Sequence, residues 1–379
     1  ASRSLLGWRV IGPLNKTCKP ATTKCFRTGV RVAAMDVTSN QITNHHFTER
    51  TVIKDDSVSK SFLDMYNHDF PEKKPEKLAL SNEDLQFISL MQNNISKNGD
   101  HYQLPLPFKN SDLVMNDNRK QAQYRLLSVK RKMQRDCKFH EEYSNFITKL
   151  LDKKYAIKSD HAPLNRTWYL PHFGVRHSVK KNLRVVFDCS ASFGDVSLND
   201  MLLQGPDLTN MLLGVLMRFR LGKFAFMADI EAMFHQVHVP PEHQTYLKFL
   251  WWPNGNFNQD PEDYQMCVHL FGAVSSPSCA NFALRQTVMD NSCQGTEAGE
   301  TILHNFYVDD MLQSTDYIQI ALDVISKVTS LCASGGFNLT KFVSNEETII
   351  ESVAPLKRSH ELTKEISKDE TIQRALGCL

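Results

Sequence analysis

Two adjacent acids, Asp309 and Asp310, sit between two apolar stretches, and this run constrains the chain more than any other. Thr301-Ile302-Leu303-His304-Asn305-Phe306-Tyr307-Val308 leads in with strand-forming residues, and Met311-Leu312 leads out. The pattern predicts a hairpin with acid at its tip. Neighbouring carboxylates repel, and burying them costs several kcal/mol unless a cation or metal offsets the charge. A bare Asp-Asp pair is more commonly a solvated turn. Its meaning depends on what else the chain brings to it.

With 379 residues, the chain is long enough for two or three domains with substantial cores. Hydrophobic content of 41% and charged content of 23% suit a globular protein. No apolar run approaches the roughly 20 residues of a membrane span, and no signal peptide opens the chain. Beginning at Ala1, it reads as a fragment or a processed product. Nine scattered cysteines form no C-x-x-C pair, which argues for reduced thiols in an intracellular setting and against a zinc knuckle. Net charge is only +2, yet residues 119–158 hold twelve Lys or Arg against four Asp or Glu. Such a stretch suits a polyanion, although basic helices are more often plain solvated faces.

Read in order, Leu5 to Leu14 forms a short apolar run broken by Gly12-Pro13. Residues 21–105 are poorly patterned and expected to be loose or to lean on absent domains. The exception is a short helix after Ser81, an N-cap with acids in its first turn. Helical spacing then predicts two basic amphipathic helices, from Asn118 to about Asp136 and from His140 to about Ala156. Arg166–Pro171 and Leu183–Asp188 read as strands flanking a turn that carries Lys180 and Lys181. A helix is expected from about Leu208 to Leu221. Beyond it come a buried strand ending at Asp229, strands over 246–252 and 264–270, and a helix to about Asp290. The acid-tipped hairpin follows, then a helix over 317–334 ended by Gly335-Gly336, and a strand over 337–343. The layout is α+β, with helices on one face of an antiparallel sheet.

If the strand ending at Asp229 neighbours the hairpin, three carboxylates converge. Such a cluster calls for hard divalent cations, Mg²⁺ or Mn²⁺. Two such ions could activate an attacking hydroxyl and clamp a phosphate in line. Lys180 or Lys181, with Arg184, would meet the remaining triphosphate charge.

Met227-Ala228-Asp229-Ile230-Glu231-Ala232-Met233-Phe234, Phe271-Gly272-Ala273-Val274-Ser275-Ser276-Pro277 and Tyr307-Val308-Asp309-Asp310 have the order and spacing of a reverse transcriptase palm. With Leu183–Asp188, Ser197–Asp200, Gly205-Pro206 and Gly335–Lys341, the chain resembles the pol polyprotein of Pao/BEL-type LTR retrotransposons. The specific likeness covers roughly residues 160 to 345. It implies a right-hand polymerase: pre-fingers over 106–160, fingers over 161–222, palm over 223–345, and the start of a post-palm segment over 346–379, with the thumb missing. Residues 1–20 resemble the tail of an upstream aspartic protease. The resemblance gives Asp229, Asp309 and Asp310 the metal and catalytic role, Asp310 being the less direct ligand because adjacent strand residues face opposite ways. It gives Arg184, with Lys180 or Lys181, the incoming triphosphate. Phe234 stands at the steric gate that favours deoxynucleotides. Phe271, in place of a retroviral glutamine, and Gly272 lie by the nucleotide, and Lys341 near the leaving phosphates. Ser276, Pro277 and Tyr307 lie along template and primer. Implied partners are a primed RNA or DNA template and dNTPs, with no membrane, within a longer polyprotein bearing protease, RNase H and integrase. The compartment would be the cytoplasm or a virus-like particle, with the nucleus as alternative.

Other readings stand beside this one. A truncated retroelement product could bind nucleic acid without polymerising, because a polymerase without a thumb should hold primer-template poorly when backbone contacts supply most of the affinity. His235, His238 and His243 have a spacing a zinc site could use, although no cysteine is near them in sequence. A working protease is set aside, since neither Asp-Thr-Gly nor Asp-Ser-Gly occurs. Asp188 reads as a structural acid.

Overall fold

A computed structural model describes residues 80–110, 115–159, 166–176 and 183–359. The readings made on residues 1–79, on Lys180 and Lys181, and on residues 360–379 lie outside these residues. Ser81 opens helix α1 (Asn82–Asn94) with a capping box: its hydroxyl accepts the Asp84 N–H while Asp84 accepts the Ser81 N–H. A small hairpin follows, β1 (Ser96–Asn98) with β2 (His101–Gln103). Helices α2 (Arg119–Arg135) and α3 (Cys137–Asp152) meet at Asp136, which ends the first and caps the second through the Phe139 N–H. Next come β3 (Ala156–Lys158), the hairpin strands β4 (His172–Arg176) and β5 (Leu183–Phe187), and α4 (Leu212–Phe219). Strand β6 (Phe224–Ile230) precedes β7 (Lys248–Trp251) and β8 (Glu262–Met266). The remainder runs α5 (Ser276–Asp290), α6 (Glu297–His304), β9 (Phe306–Tyr307), β10 (Asp310–Thr315), α7 (Ile318–Ser334), β11 (Leu339–Ser344) and α8 (Glu347–Ser352). The fold mixes helices with small antiparallel sheets, as the α+β expectation has it.

The central sheet has the order β11-β6-β10-β9, every neighbour antiparallel. Along β6 burial alternates, with Phe226, Ala228 and Ile230 buried and Ala225, Met227 and Asp229 less so. That period of two sends the apolar set into a core shared with α1, α5, α6 and α7. Asp229 is left on the opposite face. A second core gathers α2, α3, the β4-β5 hairpin and the sheet β3-β8-β7, with Tyr143 stacked on Trp251 at 5.3 Å between centroids.

Several expectations change. Residues 82–105 are not loose: Phe87, Met91, Tyr102 and Leu104 are buried in the central core, and the Tyr102 hydroxyl donates to Asp290 at 2.7 Å. Their pattern looked weak because the apolar positions are few and divided between a helix and short strands. Residues 239–273 pack in the second core rather than with β6, because Lys248–Trp251 is buried on both sides. Arg166–Pro171 joins no ladder beyond a single bridge from Tyr169 to Lys248, and the partner of β5 is β4. Thr301–His304 is the end of α6, capped by Thr296, so the strand entering the acid turn is only Phe306–Tyr307. The helix expected over 208–221 is confined to α4, and the one expected from His140 starts earlier, at Cys137.

Because Phe87 is fully buried, Phe87→Ala should lower unfolding free energy by about 3–5 kcal/mol in chemical denaturation. A loss well under 1 kcal/mol would return this segment to the status of a linker.

Candidate active site

The register of β10 on β6 sets Asp310 opposite Asp229, and residues directly opposite in an antiparallel pair point to the same face. Tyr307 pairs with Asp310, so Val308 and Asp309 form the turn between β9 and β10. Val308 takes φ 57°, a left-handed conformation that a β-branched residue adopts at a cost of about 1–3 kcal/mol. The Asp309 carbonyl accepts the Ile230 N–H at 2.8 Å, tying the turn to β6. Simple alternation made Asp310 the less direct acid. The register sets Asp310 across from Asp229, while Asp309 sits in the bend, where its carboxyl feels the Asp229 charge.

Burial raises the Asp309 pKa above the ordinary carboxylate range, and the nearby Asp229 charge pushes the same way. A hydrogen bond from its own backbone and the Lys341 charge act against this. Lys341 reaches the site through an irregularity in β11. Thr340 pairs with Asp229, the register slips before Val343, and Lys341 has φ 54°. Bulges re-aim side chains in this way. The Lys341 Nζ lies 3.0 Å from Asp229 Oδ2.

Strand β6 continues past Asp229 into a second network. Glu231 accepts from Lys153 Nζ at 2.6 Å and from Asn338 Nδ2 at 2.9 Å, and these contacts, the lysine first, lower its pKa. Lys153 just follows α3, so the pair links the two packed bodies. On the other side, Arg218 of α4 donates to Asn305 Oδ1 at 2.7 Å and to the His304 carbonyl. Asn210 Nδ2 donates to the Phe306 carbonyl at 2.9 Å. The hairpin is therefore braced from beneath. Glu231, Lys153, Arg218 and Asn210 were missed in the sequence, since no local pattern says which polar side chains meet across 78 to 96 positions.

Phe234 lies on the short helical turn after β6 and is buried against Phe271, their centroids 4.4 Å apart. Phe271 itself is half exposed. Gly272 follows with φ +112°, and a Cβ there would come within 2.4 Å of the Phe187 carbonyl oxygen, so only glycine fits. Asn199 clamps this loop, donating to the Gly272 carbonyl at 3.0 Å and accepting the Val274 N–H at 3.0 Å. Arg184 is exposed on β5 opposite Val175, and β5 ends at the Phe187 carbonyl that Gly272 approaches. Phe234 touches Phe271, and the adjoining Gly272 approaches the end of the Arg184 strand; Phe234 follows Asp229 by five residues. Ser276 departs from expectation. It is fully buried and its hydroxyl donates to the Leu270 carbonyl at 2.8 Å, leaving no side-chain surface for a polymer. Pro277 opens α5, where a missing N–H costs nothing.

The remaining candidates have separate partners. His238 stacks on His101 at 4.8 Å, His243 accepts the Leu106 N–H at 3.0 Å, and His235 packs near Tyr155 and Phe271. Asp188 pairs with Arg125 at 3.0 Å. Among the described residues no group of three or more His, Cys, Asp or Glu side chains is gathered to hold a metal ion. The donor chemistry at the acid pair nonetheless fits a hard divalent cation: carboxylate oxygens, one of them destabilised as an anion, with a cationic lysine beside them. No helix among the described residues is long and apolar enough to cross a membrane.

No protein-family model matches the chain, and no curated protein matches it. Among solved structures it is similar to the protease-reverse transcriptase of prototype foamy virus, a selenomethionine-labelled CSH mutant, with TM-score 0.43 and 16% identity. That likeness covers 74% of this chain, and the chain spans 33% of the viral protein's length. It is too slight to bear on what this chain does.

A raised Asp309 pKa has a definite sign. The folded state holds the proton more tightly than the unfolded one, so this group's stabilising contribution is complete below its unfolded pKa and disappears as pH rises through the folded value. Asp309→Asn should therefore be more stable than the parent at neutral pH, with the difference vanishing in acid. Lys341→Met should move the Asp309 midpoint further up, as read by carboxyl NMR. A downward move would contradict the geometry.

Proposed function

We propose that the chain carries the nucleotidyltransferase core of a reverse transcriptase of the Pao/BEL retrotransposon type, extending a primer 3′-hydroxyl with deoxynucleotides on an RNA or DNA template. The observation that supports this most is the register pairing Asp310 with Asp229, which sets acids from two distant motifs on one sheet face. In this reading β6 and the β9-β10 hairpin belong to the palm, and the β4-β5 hairpin with Arg184 to the fingers. Asp229 and Asp309, with Asp310, would hold Mg²⁺ or Mn²⁺. When bound, such ions supply Lewis acidity that favours a primer alkoxide and offsets charge on the triphosphate. The primer 3′-oxygen attacks the α-phosphorus and pyrophosphate leaves, while Arg184 faces the triphosphate. Lys341 lies beside the same acids and would meet the leaving phosphates. The Phe234 ring, held by Phe271, would crowd a ribose 2′-hydroxyl. Phe271 and Gly272 would border the nucleotide, and Tyr307 and Pro277 the primer and template. The chain would then belong to a longer pol polyprotein.

A second reading rests on a specific observation. Lys341 is paired with Asp229, and no three-acid group is formed among the described residues. A retroelement-derived protein that binds nucleic acid without polymerising would accommodate both facts.

Primer extension separates the two readings. With Mg²⁺, the proposal expects dNTP incorporation that falls at least about a thousandfold in Asp229→Asn and Asp309→Asn, equivalent to roughly 4 kcal/mol of barrier. Salt-dependent binding without incorporation would favour the second reading. Incorporation surviving both substitutions would sink the first. Phe234→Val should raise ribonucleotide use relative to deoxynucleotide use by about tenfold or more, measured as the ratio of kcat/KM values.

A further inference from the structure

Helix α2 contains seven Lys or Arg and no Asp or Glu in 17 residues. Four of these cations have partners: Arg119 pairs with Asp263 at 2.9 Å, Arg125 pairs with Asp188 at 3.0 Å, Lys130 donates to the Phe257 carbonyl at 2.6 Å, and Lys132 lies 4.3 Å from the Phe139 ring centroid. Lys120, Arg131 and Arg135 are exposed and make no ion pair among the described residues. At about 100° per residue these three share one stripe with Tyr124 and Leu127, opposite the buried Ala122, Leu126, Val129 and Met133. Tyr124 is 67% exposed and Leu127 42% exposed, an aromatic and an aliphatic surface in the middle of the cations. The acids at the ends of the helix are engaged elsewhere. Asp117 accepts the Arg119 N–H, while Asp136 caps α3 and lies 3.6 Å from Arg176.

We propose that this stripe is a binding surface for single-stranded nucleic acid, separate from the acid pair and not required by the polymerase reading. Charge alone would fit any polyanion. The exposed ring among the cations favours a strand with unpaired bases, since stacking on an aromatic side chain accompanies backbone contact in single-strand binding. From Lys120 to Arg135 the stripe runs about 22 Å, room for several phosphates at roughly 3.4 Å per nucleotide of a stacked strand. Arg125 and Gln121 fasten α2 to Asp188 and to the Ser192 carbonyl, just beyond the Arg184 strand. A bound strand would therefore lie on the same rigid body as that hairpin.

Fluorescence anisotropy of a labelled single-stranded oligonucleotide with the full chain tests this. Lys120→Ala/Arg131→Ala/Arg135→Ala should weaken binding at least tenfold near 0.1 M salt and reduce the slope of log K against log salt by about 2. Tyr124→Ala should weaken it fivefold or more, and Tyr124→Phe should restore it. Lys149→Ala/Lys154→Ala, removing two exposed lysines elsewhere, should leave it unchanged. An unchanged affinity or salt slope in the folded triple variant overturns the proposal, as does displacement of the strand by poly-glutamate as readily as by unlabelled oligonucleotide. Anisotropy without Mg²⁺ or dNTPs reads this surface and primer extension reads incorporation, so failure of the one and failure of the other are distinguishable.

Discussion

The structure depends on an electrostatic problem set by one pairing register. Placing Asp310 opposite Asp229, with Asp309 in the adjoining turn, brings like charges together on the face of the sheet away from the central core. The surrounding features bear on that placement. Val308 accepts a left-handed backbone so that the turn can close, and the Ile230 N–H holds the turn down. The irregularity in β11 brings Lys341 across to Asp229, and Arg218 and Asn210 fix the hairpin from the other side. A slip of one residue in this register would turn Asp310 and Met311 to opposite faces and put a carboxylate in the apolar core.

The second dependence is on the contact between two cores. The central core positions the acids, whereas the second carries the β4-β5 hairpin and α2. One place where they meet is the 271–274 loop, where Phe271 lies on Phe234, Gly272 on the Phe187 carbonyl, and Asn199 holds both ends. Lys153 with Glu231 adds a polar tie. These contacts are not the whole boundary, for the His269 N–H also donates to the Val237 carbonyl at 2.9 Å and His269 Nε2 lies 3.1 Å from the Leu104 carbonyl. Gly272 is the least replaceable, because the space for a side chain is already taken by backbone.

The sequence disclosed those elements whose residues carry their own local instructions. Ser81, the Gly335-Gly336 stop after α7, the apolar run into Asp229 and the Asp-Asp turn all proved legible. Pairing was not. Nothing local tells β5 to choose His172–Arg176 over Arg166–Pro171, because both runs suit a strand and the choice lies in packing against α2 and α3. The last turn of α6 read as strand because Ile302 and Leu303 suit either state, and Thr296 was overlooked as the cap that starts a helix. Arg218 and Glu231 were invisible for a related reason, since their partners are distant in sequence. Ser276 misled in the opposite sense, being a polar residue in a turn-rich run that the fold buries completely.

Magnitude decides how the Lys341–Asp229 contact is to be understood. At 3.0 Å it is short, but the lysine side chain is 66% exposed, and ion pairs so placed contribute about 0–1 kcal/mol. A contact that weak neutralises one carboxylate only in part and leaves Asp309 still raised by burial and by Asp229. A doubly charged ion beside Asp229 and Asp309 would gain Coulomb energy from both acids at once. The lysine is therefore better understood as a cation standing beside the acids than as a lock that closes the site. Its chain position supports the same view: on an irregular stretch of β11 with an exposed side chain, Lys341 can swing away without disturbing the pairing that holds Asp229.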